Sequence, residues 1–108
     1  MRLCDLKSRI VDPPKGDHEV YQTLIFLCPK CERHEIFVNI WRAPASEKVE
    51  VGKLENGDPK VIKIWEAQQG AWKGFDLSIK PSIDRTGLGD KCGGWHGWIC
   101  NGSIIAGR

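Results

Sequence analysis

A chain of 108 residues with a formal net charge of +2, 41% hydrophobic and 28% charged side chains has the make-up of one ordinary globular domain. That balance excludes a disordered tail and exerts no strong general pull on nucleic acid or acidic membranes. No apolar run approaches eighteen residues, so no membrane-spanning helix is expected. The opening "MRLCDLKSRIVDPPKGD" carries charges where an export signal needs an apolar run, which predicts a cytoplasmic location.

In chain order, residues 1–19 read as a lead-in loop with one short strand near Cys4, broken by the turn signal "DPPKGD". "YQTLIFLC" from Tyr21 is a β-branched and aromatic run that predicts a strand. After "CPKC", Ile36, Val38 and Ile40 alternate with Phe37, Asn39 and Trp41, which predicts a second strand. Strand, CPKC and strand make a hairpin with two thiols at its tip. Residues 42–60 are polar and broken by Pro and Gly, and read as a long loop with at most a helical turn at Ser46–Val49. "VIKIWEAQ" alternates again, and a further strand is expected over Phe75–Ile79, stopped by Pro81. Asn101-Gly102 between apolar residues predicts a two-residue hairpin that pairs Cys100 with Ser103, Ile99 with Ile104 and Trp98 with Ile105. The expected fold is one mostly β domain over residues 1–108: a small antiparallel, zinc-ribbon-like sheet with little helix.

Five cysteines in so short a chain, an odd number, point to thiols or metal ligands in a reducing compartment. A domain of this size buries only about 65% of its unfolded surface, so a metal cross-link would help it fold. Cys28 and Cys31, three positions apart across a tight turn, can aim both sulfurs at one zinc ion, which takes four ligands. Cys92 is the natural third ligand. For the fourth, His96 and Cys100 compete. Residues four apart on a strand lie about 13 Å from each other at roughly 3.3 Å per residue, so the two cannot share an ion while the hairpin stays intact. The flexible "GGW" between Cys92 and His96 suits a clip, so the expected set is Cys28, Cys31, Cys92 and His96, with Cys100 a buried or partly buried thiol. A dithiol redox centre is disfavoured, because such motifs open a helix and this one continues as a strand.

Four protein ligands would leave no place for a catalytic water. "HEVYQ" lacks a second histidine, and Pro29 follows Cys28 instead of preceding it as a deaminase motif requires. No catalytic residue is therefore assigned. In an open-site alternative, a small zinc hydrolase, Glu35 or Asp90 would carry protons. A contact surface is expected among Trp72, Trp95, Trp98, Lys30, Arg33 and Lys91, for a protein partner or, by stacking and phosphate contact, a nucleic-acid strand.

"WKGFDLSIKPSI", a later cysteine and "WHGWICNGSI" resemble an uncharacterised family of small phage and bacterial proteins sometimes mislabelled ammonia monooxygenase. The resemblance spans most of residues 24–105. It places a CPxC knuckle on Cys28 and Cys31, a Trp and Pro-Ser-Ile segment on Trp72 to Ile83, and a Cys/His cluster on Cys92 and His96. In this chain Glu32 follows the knuckle where the family pattern has glycine. The resemblance implies zinc binding and a phage or mobile-element origin, with no activity. Together these readings predict a zinc-stabilised, non-enzymatic adaptor acting on a host or phage protein. A nucleic-acid-binding zinc ribbon is the alternative.

Overall fold

The structure, a computed structural model, describes residues 1–68 and 77–107. It is a mostly antiparallel β fold, as expected. The strands are β1 (Arg9–Val11), β2 (Gln22–Leu27), β3 (Glu35–Trp41), β4 (Ser46–Lys53), β5 (Pro59–Gln68), β6 (Ser78–Asp84), β7 (His96–Cys100) and β8 (Ser103–Ala106). They pair in the order β1-β2-β3-β5-β6-β7-β8, with β4 added to β5. The β3–β5 contact alone among these pairings is parallel.

The sheet curls until its ends nearly meet. The N–H of Leu3 donates to Gly102 O, and that of Ile104 to Met1 O, so the first residues extend the free edge of β8. One 3₁₀ turn, Leu3–Leu6, then crosses to β1 on the opposite end of the sheet. Leu3 and Leu6 are fully buried and plug the gap between the two ends. At roughly 1.5–3 kcal/mol for each large aliphatic side chain buried, the two leucines offset part of the cost of ordering the lead-in. Residues 1–19 are thus not a plain loop: the helical turn occupies Cys4, and the short strand comes later, at Arg9.

The period-two pattern of β3 buries Ile36, Val38 and Ile40 against Leu24 and Phe26 of β2, with Ile79, Ile83, Trp95 and Ile99 from the other half of the sheet. The Asn101-Gly102 hairpin has the expected register. Both residues have positive φ, 48° and 74°, as a type I′ turn requires.

Two expectations fail here. Residues 42–60 contain β4, which pairs with β5 through a turn closed by Leu54 N–H donating to Asp58 O. The strand is polar because most of it faces solvent; Val49 and Val51 give its one apolar side. Pro81 does not end a strand either, since β6 runs through it to Asp84. Its missing N–H is accommodated where the β6–β7 register shifts between Ile79 and Ile83. Phe75 lies outside the described residues.

Under the β4–β5 hairpin, Tyr21, Val51 and Ile64 form a second small core. The Tyr21 hydroxyl donates to the Asp17 carboxylate, which also receives Lys60 Nζ at 2.8 Å. Burial and then Asp17 raise the Tyr21 pKa from 10.0 to about 12. A raised pKa favours the neutral phenol in the fold, so its contribution to stability is complete below the unfolded value of 10.0 and is lost as pH rises through about 12. Tyr21 is the chain's one tyrosine. Alkaline titration of the phenolate absorbance should therefore show a midpoint near pH 12; a midpoint near 10 with the fold intact would remove this network.

Candidate metal centre

The tip of the β2–β3 hairpin is a tight knuckle. Cys28 N–H donates to His34 O, and Glu32 N–H donates to Cys28 O, both at 2.8 Å. The chain reverses at Glu32, whose φ of 54° lies in the left-handed region where glycine is the usual occupant. This reversal turns the N–H groups of Arg33 and His34 towards the Cys31 sulfur, and they lower its pKa to about 7. Cys28 is fully buried within the main core, and burial pushes its thiol pKa up.

The β6–β7 loop brings the other side of the site. Arg85 N–H donates to Trp95 O at its neck, and Gly93 N–H donates to Asp90 O in the turn that carries Cys92. Gly94 has φ of 88°, and a Cβ there would stand 2.3 Å from Arg85 O, so the neck closes only around glycine.

These two segments converge on Cys28, Cys31, His34 and Cys92, whose ligand atoms all lie within 4.8 Å of one another. Cys28 Sγ and Cys92 Sγ are 3.9 Å apart, and Cys31 Sγ is 3.0 Å from His34 Nδ1. Two sulfurs on one tetrahedral zinc, each about 2.3 Å from it, sit about 3.8 Å from each other. A disulfide needs about 2.05 Å, and all five cysteines are free. Three thiols and an imidazole match the preferences of zinc, and the cluster can hold such an ion.

The histidine that the fold brings to the three cysteines is His34, whereas the expected His96 lies outside the cluster. His96 opens β7 opposite Asp84, with its Nε2 3.2 Å from Ser82 Oγ and its ring tilted on Trp98 at 5.3 Å. His96 is thus held against Ser82 and Trp98 on the sheet, whereas His34 precedes β3 and belongs to the turn that carries the two cysteines. The spacing Cys28-x2-Cys31-x2-His34 was the available signal: a third donor inside the same knuckle. Cys100 is exposed beside the terminal hairpin turn, not buried, and takes no part in the cluster.

The expected contact residues divide. Trp95 is buried, 5% exposed, and meets Phe26 edge to face at 6.1 Å and 88°, so it is core and not a contact surface. Trp98 is 41% exposed on the outer side of β7 opposite Ile105. Lys30, Arg33 and Lys91 are exposed around the knuckle and loop, and Lys30 Nζ reaches Gly94 O at 3.4 Å. Trp72 lies outside the described residues.

Neither carboxylate considered as a proton carrier has the raised pKa that a general acid needs. Glu35 is paired with Arg9 at 2.6 Å, and that contact lowers its pKa. Asp90 takes two hydrogen bonds from Arg85, which likewise hold its pKa down. Both are therefore held as carboxylates, able to accept a proton and poorly placed to donate one. Among the described residues, no helix is long and apolar enough to cross a membrane. Comparison with family models, curated proteins and solved structures finds no match to this chain.

Proposed function

We propose that the protein is a cytoplasmic, zinc-stabilised adaptor without enzymatic activity, whose partner is another protein. The observation that carries this reading is the four-ligand cluster rooted in the core at Cys28. Four protein donors fill the zinc tetrahedron, leave no site for a reacting water, and tie the β2–β3 tip to the β6–β7 loop. Zinc then acts as a cross-link between segments far apart in the chain. The outer sheet face is free for contact, and the cross-strand pair Trp98 and Ile105 offers exposed apolar side chains on a rigid hairpin. The resemblance to small phage and bacterial proteins implies a phage or mobile-element origin, and from that origin we infer by analogy a host protein as partner, in counter-defence or host takeover.

A nucleic-acid-binding module is the second reading, favoured by the exposed Lys30, Arg33 and Lys91 beside the cluster. Acidic groups at Glu32, Glu35 and Asp90 interrupt that basic set, which weakens it as a phosphate track. Capture from bacterial lysate on the zinc-loaded protein, with and without nuclease, separates the two. The adaptor reading expects a retained protein that survives nuclease and is lost with Trp98→Ala. Loss of all retained material to nuclease, with steep salt dependence, would replace it with nucleic-acid binding.

A further inference from the structure

Behind His34, on the side away from the cysteines, stands a second carboxylate-bearing layer that the ligand set does not use. His34 Nδ1 faces Cys31 Sγ at 3.0 Å, so it is the ring nitrogen turned into the cluster. Nε2 points the other way and lies 3.3 Å from Asp90 Oδ2. That contact is not aligned as a hydrogen bond, which leaves Nε2 the one buried side-chain polar atom without a hydrogen bond among the described residues. A buried ring nitrogen in this position costs free energy unless its proton finds an acceptor. The nearest acceptor is held in place. Asp90 is only 10% exposed at its side chain, and Arg85 grips it through Nη2 to Oδ1 at 2.9 Å and Nε to Oδ2 at 3.3 Å. The Asp90 backbone carbonyl meanwhile closes the turn that carries Cys92.

We propose that Asp90, clamped by Arg85, is the positioning residue that fixes His34 as an Nδ1 metal ligand. The proposal rests on the zinc reading above. A small rotation of the ring on metal binding aligns Nε2–H with Oδ2, so that the imidazole presents its Nδ1 lone pair to the ion. A carboxylate behind a ligating histidine sets the tautomer, orients the ring and raises its basicity. Here it does one thing more. Asp90 belongs to the β6–β7 loop and His34 to the β2–β3 tip, so the contact holds the two halves of the site in register before metal arrives. Arg85 is the anchor: a bidentate guanidinium keeps the carboxylate from turning to solvent.

The test uses the full chain loaded with zinc. Long-range nitrogen–proton correlation spectra of the imidazole identify the metal-bound nitrogen. The proposal expects zinc on Nδ1 of His34 and a slowly exchanging proton on Nε2; zinc on Nε2 would overturn it. Competition against a chromophoric chelator then compares wild type with Asp90→Asn, which keeps size but exchanges one carboxylate oxygen for a donor. Zinc affinity should fall about 10- to 100-fold, with faster exchange of the Nε2 proton, while circular dichroism in saturating zinc stays native. Glu32→Gln removes a negative charge from the same knuckle without touching the ring, and should change affinity less than about twofold if contact, not bulk charge, is the cause. Equal losses in the two variants, or an unchanged affinity in Asp90→Asn, would refute the positioning role alone. A wild-type chain that takes up no zinc would refute the metal reading and this inference together.

Discussion

Stripping the protein of zinc with a strong chelator should abolish its cooperative unfolding transition. Cys28 sits in the main core with Phe26 and Trp95, so a metal held there would be anchored to the part of the fold that has most to lose. Structural zinc contributes apparent binding free energies of about 10–16 kcal/mol in small domains, as large as the roughly 5–15 kcal/mol of total stability expected for such a chain. Without the ion, three thiols and a histidine crowd together at the junction of two loops, and the His34–Asp90 contact is too weak to replace a four-ligand cross-link. Thermal melts followed by circular dichroism should lose their sigmoid with chelator and regain it when zinc is returned. Cys28→Ser and Cys92→Ser should behave as the stripped protein does, whereas Cys100→Ser and His96→Ala should keep their zinc. A melt that is the same with and without chelator would mean that the β core stands alone.

Replacing Trp95 by alanine is the second large effect. Its ring fills the space between β7 and Phe26, and burying so large an aromatic group leaves a cavity that the curled sheet cannot easily close. The expected cost is about 3–5 kcal/mol, or a fall in melting temperature of at least ~12 °C at roughly 4–8 °C per kcal/mol in a domain of this size. Trp98, three positions on and exposed, should tolerate alanine with a change of about 0.5 kcal/mol or less. The two neighbours thus separate stability from contact: Trp95→Ala weakens the fold, and Trp98→Ala weakens partner capture in a protein that melts normally. Equal melting shifts for both would contradict the assignment of Trp95 to the core.

The strands that bury one face and alternate cleanly were legible in the sequence. β2, β3 and the β7–β8 hairpin declare themselves through Ile36, Val38 and Ile40 and through Asn101-Gly102, because period two and turn chemistry are local signals. β4 was not, since a strand that covers only the small Tyr21 core needs few apolar residues and reads as loop. Its Asn56-Gly57 turn carried the same local signal as Asn101-Gly102, and there polarity masked it. The closure of the sheet by Met1–Leu3 was beyond reach because it depends on pairing with residues a hundred positions away.

At the candidate metal centre, three members of the cluster, Cys28, Cys31 and Cys92, were legible in the sequence as cysteines free to act as ligands. The histidine that joins them, His34, was passed over because the expected donors came in two separated pairs. A knuckle that turns at a left-handed Glu32 can supply three donors from seven residues, Cys28 to His34, and the distant loop then needs to give only Cys92. From the sequence Asp90 reads only as a proton carrier for an open zinc site; its partner Arg85 and its position behind His34 exist only once the loop has folded.

Everything above turns on a closed zinc site made by three thiolates and one imidazole. X-ray absorption at the zinc edge of the loaded protein tests it most directly. The predicted first shell has three sulfurs at about 2.3 Å and one imidazole nitrogen at about 2.0 Å, unchanged in His96→Ala and stripped of its imidazole signature in His34→Ala. A shell with two sulfurs, or one whose imidazole signature disappears with His96 instead of His34, would contradict it.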